Sequence, residues 1–388
     1  MKNFLKLALT SFLLFNLTSC TKTDVKKSRY SEADWNQSLG DNQKAIEIFA
    51  TNSIKGNLTA QPVYFSPDEL SPVSFGGAPL LLAYNKISKE RSKSSLWLDL
   101  GDSYDSLSGP IHQGITSYFF SEMKYDAIAY TEKELSIIGL NSSQVQLPFI
   151  ISNMIDLSTA QTFKNDLISP WKIITKDGIK IGVISVTNYK FIKQESSEKT
   201  KGLFFEDMVL SILRAKKEFV KNKVDLSILL ANIDSGCHMS HDEELTCPNQ
   251  GDDLKKLLSR IPPDTIDLAL ASPNRIAFGR INNIPVMMVA GQGKWLARIR
   301  AIFDQSKLAN IQLLSPIRVC DKFFHETNDC HFPLSGEEDE SERLTMLRKS
   351  KNEIKPAKFW GHEIIEDKKI EQSFQLIRTQ GIQAPVNN

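Results

Sequence analysis

The sequence carries almost no net charge. Its 47 Lys and Arg stand against 46 Asp and Glu, a formal +1. A nucleic-acid binder needs a basic field to collect phosphates, and this chain has none to offer. No aromatic-interleaved Lys/Arg cluster takes its place and no internal repeat occurs, so no nucleic-acid partner is expected. Past residue 20 no run is apolar enough to cross a bilayer. Cys-x-x-Cys-His is missing, which argues against covalent haem. "AGQGKW" (290–295) lacks both the spacing and the strand-to-helix setting of a phosphate loop, and reads as a turn between strands.

The N-terminus has the features of a targeting segment. Lys2 and Lys6 precede the apolar stretch "LALTSFLLFNL", which is too short for a mature spanning helix. It ends in "LTSC", Leu17 to Cys20, and this resembles a bacterial lipobox. The resemblance implies a signal peptide over 1–20, a lipid on Cys20, and a protein held on the membrane outside the cytoplasm. Thr21 follows the cysteine, where an Asp would favour the inner membrane, so the outer membrane is the expected location.

Four cysteines remain: Cys237, Cys247, Cys320 and Cys330. An even number in an exported chain reads as disulfides, with three connectivities open and the local pairs 237–247 and 320–330 the simplest. "CHMSHDEELTC" also contains His238 and His241, so a zinc site is the competing reading of that loop.

Residues 21–57 are polar, with a helical-looking patch in "NQKAIEIFATNSI", and read as a tether followed by a first helix. From about 62, short β-branched runs such as "SLWLDL", "IKIGVISVT", "VDLSILLAN" and "IPVMMVAG" alternate with helical patterns such as "APLLLAYNKISKERSK". That rhythm predicts an α/β fold with mostly parallel strands and a main domain over 58–315. Ligands in such sheets bind beyond the strand carboxyl ends, where Asp102 and Asn232 fall. Residues 316–388 break the rhythm and read as a charged C-terminal surface extension, with one helix through "EDESERLTMLRKSKN".

The order of these blocks, from about 62 to 303, resembles the calcineurin-like metallophosphoesterase domain of the 5′-nucleotidase and UDP-sugar hydrolase family. "FSPDELSPVSFGGAPLLLAYNKI" looks like its opening strand-loop-helix, "LWLDLGDSYDSLSGP" like its Gly-Asp motif, and "MKYDAIAYTEKEL" like the strand leading to Gly-Asn-His-Glu. The resemblance implies a four-layer α/β/β/α sandwich and a two-metal centre. The family's ligands come from an Asp-x-His, the Gly-Asp, the Asn of Gly-Asn-His, a lone His and a Gly-His-x-His. On this chain Asp68 falls at the first Asp and Leu70 at its His, while Asp102 keeps the bridging Asp. Glu132 falls at the ligand Asn and Lys133 at the catalytic His. Asn232 falls at the lone His, and Pro273 and Arg275 at the last two. Every motif histidine is replaced, and four of them were metal ligands. At only tenfold each, four lost ligands weaken metal binding by about 10⁴-fold.

The expectation is therefore an envelope pseudoenzyme with a binding or structural role and no cofactor. Lys133 and Arg275 would neutralise the carboxylates that once held metal. Three alternatives stay open. A divergent nucleotide or phosphoester hydrolase would hold one divalent metal ion at a site rebuilt from His112, His238, His241, Asp102 and Glu132. A binding module would hold a phosphate or nucleotide-like ligand on Lys133, Arg275 and Arg280. A scaffold would meet envelope protein partners through its stapled loops and its tail.

Overall fold

The computed structural model describes residues 38–63, 73–105, 109–139, 146–188, 202–240, 244–248, 251–273, 275–324, 330 and 354–380, together with Trp35. Cys20, Asp68, Leu70, His241 and the helix expected through 338–352 lie outside the described residues.

Five strands of the first sheet, β1 (Gln43–Thr51), β2 (Ser95–Asp99), β3 (Ala127–Ala129), β4 (Phe149–Ile150) and β5 (Ile168–Ser169), lie side by side in sequence order and all parallel. The chain then builds a second sheet from β6 (Trp171–Lys176), β7 (Ile179–Thr187), β8 (Leu226–Asn232), β9 (Leu268–Ala271), β10 (Ala277–Ile281) and β11 (Ile284–Met288). Here β7, β8, β9 and β11 are parallel, flanked by antiparallel β6 and β10. It returns to the first sheet with β12 (Trp295–Asp304), antiparallel to β1, and β13 (Lys307–Arg318). The sheet orders are β13-β12-β1-β2-β3-β4-β5 and β6-β7-β8-β9-β11-β10.

Three apolar interfaces make the layers. Between the sheets, Ile46, Ile48, Leu96 and Leu98 of the first meet Ile181, Val183, Ile228 and Leu268 of the second. Outside the first sheet pack α1 (Ala78–Arg91), α2 (Pro110–Met123) and a short α3 (Glu132–Ile138). Outside the second pack α4 (Met208–Lys221) and α5 (Asp253–Arg260), carrying Ile212, Phe219, Leu254 and Leu257. Strand side chains alternate between faces, so each central strand feeds two interfaces and reads as a continuous apolar run. The result is the expected α/β/β/α sandwich.

Two expectations about the ends need correction. The patch "NQKAIEIFATNSI" is not a tether helix. Its core is β1, lodged between β12 and β2 in the middle of the first sheet. Nor is the tail all surface extension. The last helix, α6 (Lys368–Gln380), buries Ile370, Phe374 and Ile377 against the cluster of α1 and α2. Those three residues recur at i, i+4 and i+7, one face of a helix. Phe359 and Trp360 stack at 4.7 Å just upstream, and Phe359 meets Tyr84 of α1.

Cys237 is bonded to Cys247, and Cys320 to Cys330, the local pairing. The first bridge closes the hairpin of His238–Met239 and Leu245–Thr246. A disulfide sulfur is no thiolate ligand, which removes the cysteines from a zinc reading of this loop.

Candidate functional site

The carboxyl ends of the parallel strands of both sheets converge on one cavity of about 400 Å³. After β1 comes Ser53, after β2 Asp102, and after β3 Glu132 and Lys133 at the start of α3. The second sheet supplies Asn188 after β7, Asn232 to Asp234 at the end of β8, and Ser272 after β9.

Asp102 is the centre of the site. It is 8% exposed and takes a left-handed backbone with φ of 56°. Its Oδ1 lies 2.8 Å from Lys133 Nζ, and its Oδ2 lies 3.5 Å from Lys55 Nζ. The Ser53 hydroxyl sits 3.2 Å from the same Oδ2 and 3.1 Å from Asn52 Oδ1. Ser53 and Lys55 also have positive φ, 45° and 51°. Three non-glycine residues in this sparsely populated region thus meet at one carboxylate, and such clusters are characteristic of functional sites. The loops that hold them are fixed by backbone bonds: Ser53 N–H to Gly101 O, and Gln292 N–H to Ser53 O. Gly101 itself must be glycine. Its φ is 80°, and an added Cβ would stand 2.4 Å from Thr131 Cγ2 and 2.7 Å from Ala129 O.

Two fully buried acids lie beneath the Asp102 loop. Asp99 accepts from Thr51 Oγ1 at 2.6 Å, Ser103 Oγ at 2.7 Å and Gly101 N–H at 2.9 Å. Burial still pushes its carboxyl up to about 7 against those hydrogen bonds, which act to lower it. Glu134 closes a capping box on α3 with Thr131, and accepts the Ser103 N–H at 2.8 Å. Burial raises its carboxyl as well. These two acids are scaffold, since their oxygens are spent on the loop.

Glu132 differs. Burial pushes its carboxyl up to about 7; Lys133 lowers it, while Asp102 and Asp234 raise it. Its Oε2 is buried without a hydrogen-bond partner among the described residues.

The other expected residues are spread more widely. Asn232 lines the cavity, but its amide is engaged with Leu100 O at 3.2 Å and the Thr187 hydroxyl at 3.4 Å. Pro273 follows β9. Arg275 reaches Gly236 O at 3.5 Å and forms no ion pair with the site acids, so it does not neutralise them as expected. Arg280 sits near the hairpin between β10 and β11, bonded to Asn283 O, because β10 runs antiparallel and carries it to the opposite end of the sheet. His112 Nε2 is paired with Gly56 O at 2.9 Å, and His238 is exposed on the stapled hairpin. Neither lines the cavity. Among the described residues, no group of three or more His, Cys, Asp or Glu stands ready to hold a metal ion.

The family's two-metal centre does not fit this donor set. Asp102 is the only family carboxylate kept among the described residues, and two ammonium groups already hold it. A divalent ion there would meet like charge a few ångströms away, which costs several kcal/mol even at an effective dielectric of about 20. The residues that sequence reasoning missed are Ser53 and Lys55, because they follow a strand read as a helix. Glu134 and Asp99 were missed as buried supports.

No protein-family model and no curated protein matches the sequence. Solved structures do. A 5′-nucleotidase precursor from Thermus thermophilus aligns at 17% identity and a TM-score of 0.51, covering 70% of this chain and 55% of its own. An NAD nucleotidase from Haemophilus influenzae aligns at 14% identity and 0.56, covering 87% of this chain and 60% of its own. A calcineurin-like phosphoesterase from Bacillus subtilis aligns at 17% and 0.50, covering 72% and 90%. The chain spans little more than half the length of the two nucleotidases. Its two sheets, their helices and the site at the strand ends give this protein the metallophosphoesterase fold of the 5′-nucleotidases.

Proposed function

We propose that this chain is a pseudoenzyme of the cell envelope, anchored by lipid on Cys20 in the outer membrane, which keeps the phosphoesterase framework for binding rather than hydrolysis. One observation carries the reading: the carboxylate at the bridging-metal position is ion-paired to Lys133 and Lys55. With β1 as the opening strand, the family's Asp-x-His falls on Ser53-Ile54-Lys55 rather than on Asp68 and Leu70. Serine then stands for a ligand carboxylate, and an ammonium for a ligand imidazole. Lys133 stands for the catalytic His. Neither lysine coordinates a metal while charged, and both contribute the positive charge that a metal would have supplied to Asp102.

The test is turnover. The 21–388 protein is offered 5′-AMP and bis(p-nitrophenyl) phosphate with Mn²⁺, Zn²⁺ or Ca²⁺. The expected rate equals that of Asp102→Ala in every case. Turnover that Asp102→Ala abolishes would refute the reading. For the anchor, Cys20→Ala is expected to move the full-length protein from the membrane to the soluble fraction; a variant that stays in the membrane would refute that part.

A further inference from the structure

We infer that the cavity at the strand ends binds a small zwitterion, its ammonium held between Glu132 and Asp234 and its anionic group at Lys133. The inference rests on the reading that the metal centre is retired, and it goes beyond it by naming the ligand class.

The charges around the cavity are unbalanced in two places. Lys55 and Lys133 bring two positive charges to one carboxylate, leaving one in excess. Both side chains are nearly half exposed, 45% and 49%, so their remaining N–H donors are open to a ligand. Glu132 and Asp234 border the same cavity with negative charge, close enough that Asp234 raises the Glu132 carboxyl. The buried Glu132 Oε2 lacks a donor among the described residues. A buried acceptor left unmade costs about 1–3 kcal/mol, which a ligand N–H donor would recover. An ammonium answers the Glu132 and Asp234 carboxylates, and a phosphate or carboxylate answers the lysine. A ligand with only one of these charges leaves the other imbalance in place. The volume, about 400 Å³, lies within the range of small-molecule sites. Among the described residues the cavity lining includes a single apolar side chain, Ile233, which disfavours an aromatic or aliphatic ligand.

The experiment is calorimetric titration and thermal shift of the 21–388 protein. The probes are phosphoethanolamine and γ-aminobutyrate, set against ethanolamine, acetate and inorganic phosphate. The expected result is binding of at least one zwitterion at least tenfold tighter than any of the single-charge probes. Glu132→Gln and Asp234→Asn, both mild changes at the cavity wall, are expected to weaken it about tenfold with the unliganded melting temperature little changed. No binding of either zwitterion overturns the inference and leaves Glu132 Oε2 to water. Equal binding of phosphate and phosphoethanolamine, untouched by Glu132→Gln, overturns it in favour of a plain anion site. Metal-dependent turnover in the separate assay would instead bring down the retired-centre reading, so the two failures are distinguishable.

Discussion

A chain stopped at residue 353 is expected to lose cooperative folding. The truncation removes Phe359, Ile364, Ile370, Phe374 and Ile377, each no more than 5% exposed and all part of the cluster outside the first sheet. Burying a side chain of this size stabilises by about 1.5–3 kcal/mol, so the five together contribute on the order of 10 kcal/mol. That matches the whole stability of a typical domain, roughly 5–15 kcal/mol. The cut also breaks the Lys86–Asp367 ion pair and the Arg91 bond to Trp360 O. The expected sample binds a hydrophobic dye strongly and shows no sharp melting transition. A milder version is Phe374→Ala, expected to cost about 3–5 kcal/mol by denaturant titration. A truncated protein that melts cooperatively within a few degrees of the full chain would show that α6 is an accessory.

The second large effect is an inverted dependence of stability on pH. Asp99 and Glu47 are pushed up to about 7 by burial, Glu132 to the same level, and Glu134 upward. In the unfolded chain these acids titrate near 4. Between about pH 4 and 7 the folded state therefore holds more protons than the unfolded state. Stability then falls as pH rises through that window, being fully present below it. Asp207 and Asp367 oppose the trend: burial raises both carboxyls, but the hydrogen bonds and charge of Arg260 and Lys86 outweigh it and hold them low. The melting temperature should be several degrees higher at pH 5 than at pH 7.5. Asp99→Asn, which removes the largest buried contributor at the site, should flatten the profile. A melting temperature that rises from pH 5 to 7.5 would contradict this.

Most of the sandwich was legible because its strands are buried on both faces. "SLWLDL", "IKIGVISVT" and "VDLSILLAN" are apolar runs, and they form β2, β7 and β8 where the pattern places them. β1 was not legible. Ala45, Ile46, Ile48 and Phe49 recur at helical spacing, and Glu47 interrupts the run. The strand tolerates that acid because Arg300 of β12 lies across from it, Nε to Oε1 at 3.1 Å. A long-range partner of this kind leaves no local signal. Reading β1 as a helix hid Ser53 and Lys55, which follow it. Asp102, Glu132 and Lys133 were found because each follows a strand that was recognised. Arg275 and Arg280 failed for a different reason. A family-motif position suggested Arg275 and charge suggested Arg280; neither signal locates the side chain, and only the reversal of β10 carries Arg280 to the opposite end of the sheet.

The most direct test of a retired centre is metal binding at Asp102. The 21–388 protein and its Asp102→Ala variant are incubated with excess Mn²⁺ or Zn²⁺, desalted and measured by elemental analysis. With Lys55 and Lys133 holding the carboxylate, the account predicts less than one tenth of a metal ion per chain in both proteins. One or two ions per chain, lost in Asp102→Ala, would mean that the lysines yield to metal and that the centre is alive.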